Sequence, residues 1–219
     1  MTTSAPDPAQ HWDVLAPRAI AELLQAVPVR WWISGGAALD HWLGAPIRER
    51  SHTDVSVVLA DLPAFVAALP EGVEAWAVRD EDEVLPFAEV AADDEVQPVL
   101  LRDAASGRWL LKVNVEDGAP RAWIYKRDPR LHLAWEQAVL DFDGIPTGAP
   151  EVQLLWKALR PRPQDDADKD AVLPRLSDEA RDWYERRILS IHPHSSWSIH
   201  VRSPFAPAKA SWNRSRARG

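Results

Sequence analysis

From Trp12 to Ala26 the apolar positions Val14, Leu15, Ala19, Ile20, Leu23 and Leu24 recur at helical spacing, and Pro28 ends the run. This predicts a first amphipathic helix. Val29 to Ile33 then reads as a short buried strand, Ser34-Gly35-Gly36 as a tight turn, and Ala37 to Leu43 as a second helix stopped by Gly44. The β-branched run Val55 to Ala60 predicts a central strand, and Pro63 to Leu69 a helix closed by Pro70. Further strands are expected at Glu74 to Val78, Val96 to Arg102, Trp109 to Val115 and Ala122 to Lys126.

Beyond Asp128-Pro129 the periodicity becomes helical, at His132 to Leu140, Pro150 to Arg160, Asp165 to Leu173 and Ser177 to Leu189. Ser177 followed by Asp178 and Glu179 reads as an N-cap with acids that complement the helix dipole. The pattern therefore divides into an α/β domain over residues 1–130, a helical unit over 131–197 and a basic tail over 198–219, expected to be disordered. No internal repeat is visible.

Composition adds limits. The chain has 219 residues, 46% of them hydrophobic, with 12 Trp and no Cys, so a core is available and neither disulfides nor thiolate metal sites are. The net charge is −8, but residues 199–219 hold five basic side chains and no acid, which leaves about −13 on the rest. Such a body repels a phosphate backbone and attracts cations, so general nucleic-acid binding is disfavoured and a cationic small molecule is a reasonable partner. The opening residues lack the basic and apolar regions of a secretory signal, and no apolar run is long enough for a bilayer. A cytoplasmic location without membrane association is expected.

Candidate chemistry begins at Gly35-Gly36, where absent side chains let a phosphate approach the backbone at a helix start. Shortly after, in Arg48-Glu49-Arg50-Ser51-His52-Thr53-Asp54-Val55-Ser56, an acid opens a buried strand. Residues two apart on a strand share a face, so Asp54 and Ser56 point the same way. Two carboxylates at such places would hold Mg²⁺ against a nucleoside triphosphate.

The stretch Trp31 to Asp40, then Gly44 and His52-Thr53-Asp54-Val55-Ser56, resembles the opening of bacterial aminoglycoside and lincosamide nucleotidyltransferases. The resemblance continues in order through Trp109 to Glu116, Trp123 to Asp128, Gly144-Ile145-Pro146, Ala149 to Ala158, Asp165 to Asp168 and His192-Pro193 to Trp197. It implies an α+β polymerase-β-like nucleotidyltransferase core with a mixed sheet, followed by a small helical unit on the substrate side. It further implies Mg²⁺ and ATP or another nucleoside triphosphate as cofactor and co-substrate, and transfer of a nucleoside monophosphate to a drug hydroxyl. Ser34, Gly35, Gly36, Arg48, Arg50 and His52 fall at the nucleotide side, Lys157, Gln164 and Asp165 at the substrate side, and Asp54 at the first metal carboxylate.

Three positions depart from that pattern, one of them Gln164, which stands where the resemblance implies a basic residue before the Asp165 to Asp168 run. The second metal carboxylate maps onto Ser56 and the third onto Lys112, so the charge at the three carboxylate positions falls from −3 to zero. Opposite charges in a partly buried cleft attract strongly, which predicts an ion pair between Lys112 and Asp54 in place of a metal. Glu116 shares the strand face of Lys112 and could supply a carboxylate if the strand were shifted. Three readings follow. The first is a nucleotidyltransferase-fold protein with a degenerate metal site that binds a nucleotide or small molecule with weak or no transfer. The second is an active Mg²⁺-dependent transferase using Asp54 and a displaced Glu116. The third is a protein-interaction module.

Overall fold

The computed structural model describes residues 11–79, 83–91 and 95–202. The expected basic tail falls almost wholly outside them. In chain order the elements are α1 (Pro17–Leu23), β1 (Trp31–Ser34), α2 (Gly35–Leu43), β2 (Asp54–Val58), α3 (Leu62–Ala67), β3 (Val73–Val78), β4 (Val84–Pro86), β5 (Val99–Asp103), β6 (Trp109–Ala119), β7 (Ala122–Ile124), β8 (His132–Ala134), α4 (Trp135–Ala138), β9 (Val139–Phe142), β10 (Ile145–Gly148), α5 (Pro150–Ala158), α6 (Pro163–Val172), α7 (Asp178–Ile191) and α8 (Ser198–Arg202). The fold is α+β, as the sequence leads one to expect.

The chain forms two compact units that divide after Ala149 rather than near residue 130. In the first, a mixed sheet runs in the order β4-β3-β5-β6-β2-β1-β10-β9, and the far end of β6 continues into a small antiparallel layer with β7 and β8. β2 lies parallel to β6 and antiparallel to β1, with Asp54 opposite both Ser34 and Lys112. Alternation then sorts the side chains. Ile33, Val55, Val57, Val113 and Val115 turn to one face, where they are fully or almost fully buried with Ile20, Ala38 and Phe65. Each such side chain contributes roughly 1.5–3 kcal/mol by leaving water. The opposite face of the same strands carries Ser34, Asp54, Ser56, Lys112, Asn114 and Glu116, and is the polar one.

The helix expected from Trp12 starts only at Pro17. A residue before proline is driven into extended backbone, and Ala16 has φ −70° and ψ 155°, while proline itself suits the first helical position. Trp12 instead forms a bridge to Trp109, and Asp13 pairs with Arg108.

The larger correction concerns His132 to Leu140, which is not a helix. Its ends pair as strands, β8 with β7 and β9 with β10, leaving only the single turn of α4 between them. β9 and β10 are joined by Asp143-Gly144 with φ of +53° and +78°, the backbone of a two-residue hairpin turn. β10 then pairs in parallel with β1, Ile33 opposite Thr147, so this segment completes the sheet.

The second unit is helical. Ser177 caps α7 by accepting a hydrogen bond from the Ala180 amide at 3.2 Å, as its sequence signature indicates.

Candidate functional site

No turn separates β1 from α2. Ser34 is the last strand residue and sits at the N-cap position of the helix that Gly35 opens, without a side-chain capping bond, so the strand runs directly into the helix. Gly35 has φ +61°, and a Cβ there would lie 2.9 Å from Asp54 Oδ2. Only glycine accepts both this backbone and this neighbour, and the Asp54 carboxylate is thereby brought to the positive end of α2.

Asp54 is 17% exposed at its side chain, and its two oxygens have different company. Oδ1 accepts a 3.2 Å hydrogen bond from Asn114 Nδ2, which also reaches Ser34 Oγ at 3.4 Å. Oδ2 lies 3.5 Å from His52 Nε2, and the other ring nitrogen of His52 is 3.0 Å from Ser51 Oγ. The ring of Trp12 stands against His52, with centroids 5.4 Å apart. Burial pushes the Asp54 carboxyl up, but the hydrogen bond and charge of His52, the charge of Lys112 and the Asn114 amide outweigh it, and its pKa falls below the usual range.

The expected ion pair between Asp54 and Lys112 does not form. The two residues are register partners, yet among the described residues the Lys112 side chain has no ion pair or hydrogen bond. The reason is local. Asn114 and His52 approach the carboxylate from its two sides and satisfy it first, so the Lys112 charge is felt only through space.

Glu116 is likewise not at Asp54. It stands opposite Val58, four residues along β6 from Lys112, roughly 13 Å at a strand rise of about 3.3 Å. It is 5% exposed and accepts a 2.6 Å hydrogen bond from Trp123 Nε1. Ser56, between these two positions, is fully buried and its hydroxyl has no hydrogen-bond partner among the described residues.

The arginines are engaged. Arg50 forks onto Asp40 of α2, Nε to Oδ2 at 2.7 Å and one terminal nitrogen to Oδ1 at 2.6 Å, while the Ile47 amide donates to Oδ1 at 3.0 Å. Its guanidinium lies flat against Gly36, where any Cβ would collide with it, so the second glycine serves this crossing. Arg48 is half-buried and donates to the Glu49 carbonyl at 3.4 Å. A cavity of about 350 Å³ adjoins the Asp40–Arg50 pair, lined also by Leu15, Ile20, Ala37 and Thr53; Asp54 does not line it.

The three residues expected on the substrate side belong to the helical unit. Lys157 bridges Asp165 at 2.9 Å and Asp168 at 3.0 Å, with side chains 10%, 2% and 0% exposed. Arg162 Nε also donates to Asp165 at 2.9 Å. Burial pushes the Asp165 carboxyl up, but its bonds from Arg162 and Lys157 hold it well below the ordinary value. Gln164 is exposed on the same helix.

Asn114 and Asp40 also belong to the site, although neither stands among the residues expected there from sequence. Both had a signal: Asn114 is two residues from Lys112 on its strand, and Asp40 is one helical turn beyond Gly36. Mg²⁺, implied by the sequence resemblance, finds a poor donor set around Asp54: one carboxylate already hydrogen-bonded, a buried hydroxyl, an amide and an ammonium, with Glu116 four residues away along β6. Among the described residues no three acidic or imidazole side chains gather as metal ligands.

No protein-family model and no curated protein matches the chain. Solved structures of nucleotidyltransferase type do. ANT(2'')-Ia in complex with adenylyl-2''-tobramycin is 14% identical, with a TM-score of 0.48 over 78% of this chain and 97% of that one. The solution structure of the antibiotic-resistance factor ANT(2'')-Ia is 15% identical, with a TM-score of 0.44 over 93% and 97%. An antigenic nucleotidyltransferase-like protein from Paracoccidioides brasiliensis is 16% identical, with a TM-score of 0.37 over 85% and 90%. These are the class that the sequence motifs resemble; with TM-scores below 0.5, the reading of the site rests on its own geometry.

Proposed function

We propose that this chain is a nucleotidyltransferase-like protein, of the aminoglycoside-modifying kind by its sequence motifs, that binds a nucleotide and transfers it weakly or not at all. One observation carries the reading: of the three positions where the resemblance calls for carboxylates, only Asp54 has one, and its register partner is a lysine. Phosphoryl and nucleotidyl transfer depend on cations held between acidic side chains and the phosphates, and a single hydrogen-bonded carboxylate supplies too little charge to hold two of them. Glu116 does not supply the deficit, since it lies opposite Val58, four register pairs along β6, and is hydrogen-bonded to Trp123. The excess negative charge of residues 1–198 favours a cationic second ligand such as an aminoglycoside.

Calorimetry with ATP and GTP tests the binding, and pyrophosphate release with a panel of aminoglycosides tests transfer. Saturable binding with little or no pyrophosphate supports the reading. Robust pyrophosphate release that disappears in Asp54→Ala establishes a working transferase and overturns it.

A further inference from the structure

Lys112 is a half-buried cation on the polar face of the sheet, opposite an acid that it does not pair with. Adjacent strands lie about 4.8 Å apart, so the Lys112 stem starts beside Asp54 and its charge is felt at that carboxylate. Asp54 is already satisfied by Asn114 and His52. The opening of α2, a nine-residue helix, lies against the same carboxylate, since a Cβ at Gly35 would meet Asp54 Oδ2 at 2.9 Å. Two residues further along β2, on the same face, the Ser56 hydroxyl is buried without a hydrogen-bond partner among the described residues. The face thus offers a positive charge beside a helix start, at the place where the resemblance would put a cation between acids and phosphates.

We propose that the Lys112 ammonium takes the charge-neutralising place of the metal and holds the polyphosphate of a nucleotide directly, so that binding needs no divalent ion and is weakened by one. The inference rests on the nucleotide-binding reading above and adds to it the form of the ligand, the free polyanion. Magnesium acts against such a site in two ways. It lowers the charge of the nucleotide in solution, and it is repelled by the ammonium it would have to approach.

The test is calorimetry on the full chain with ATP, GTP and inorganic tripolyphosphate, each in EDTA and in excess MgCl₂, with circular dichroism to confirm folding. ATP or GTP is expected to bind in EDTA and more weakly in MgCl₂. Lys112→Met is expected to weaken binding in EDTA about tenfold, the loss of one charge-assisted contact, and Lys112→Arg to retain most of it. Nucleotide binding that requires Mg²⁺, or binding unchanged in Lys112→Met, overturns the proposal and leaves the nucleotide-binding reading standing. Lys112-dependent binding of tripolyphosphate with none of ATP or GTP does the reverse, keeping the phosphate seat and removing the nucleotide. A folded protein that binds none of the three overturns both.

Discussion

The Trp123 indole donates a 2.6 Å hydrogen bond to the Glu116 carboxylate, an acid that the register of β6 sets opposite Val58 and away from Asp54. Both partners are almost fully buried, at 1% and 5% exposure. Replacing Trp123 by Phe removes this donor from a buried carboxylate, which is expected to cost about 1–3 kcal/mol. Urea denaturation measures the loss. In a double-mutant cycle, adding Glu116→Gln is expected to recover part of it, because a neutral amide tolerates burial better than an anion.

Gly35→Ala places a Cβ 2.9 Å from Asp54 Oδ2 on a backbone with φ +61°. The left-handed conformation alone costs a side-chain-bearing residue roughly 1–2 kcal/mol, and the steric conflict adds to it. Adding Asp54→Ala is expected to relieve the second part and not the first. A double variant no more stable than Gly35→Ala alone would count against the close approach described above.

Arg50→Lys is expected to destabilise almost as much as Arg50→Ala. An ammonium cannot reproduce the two-pronged contact with Asp40, and Asp40 is left largely buried with one donor fewer. Breaking such a pair costs about 3 kcal/mol, readable by chemical denaturation, and Asp40→Asn is expected to cost a comparable amount.

The buried cluster of Lys157, Asp165 and Asp168 gives the helical unit an acid limit. Asp165 has a depressed pKa in the folded state, so its contribution is present above the unfolded value of about 4 and is lost as pH falls through the lower folded value. Asp165→Asn is therefore expected to lower the melting temperature at pH 7 and to differ less and less from the parent below about pH 4. A gap that stays constant down to pH 2 would mean that Asp165 gains nothing from its charge.

Much of the site was legible before any coordinates. Alternation put Asp54 with Ser56 and Lys112 with Glu116, the resemblance set those two pairs against each other, and the strand, paired glycines and helix stood in the order found. What the sequence did not reveal was which of several polar neighbours would satisfy Asp54, because that depends on side-chain reach of a few ångströms and not on spacing. The same is true of Arg50, which looked available for phosphate until the structure tied it to Asp40. The error at His132 to Leu140 was of another kind. Its apolar positions fit a helix as well as two short strands, and the Asp143-Gly144 pair that follows was the hairpin signal that should have decided it.

That hairpin bears on how the protein can be cut. Because Thr147 lies beside Ile33, the rim of β1 stays open until the chain has been made as far as β10. A fragment stopping at residue 130 would present that rim as a template for other copies and is liable to clump, whereas one extending through Ala149 closes it. Expression trials of the sheet-bearing unit should place the stop codon after the last strand.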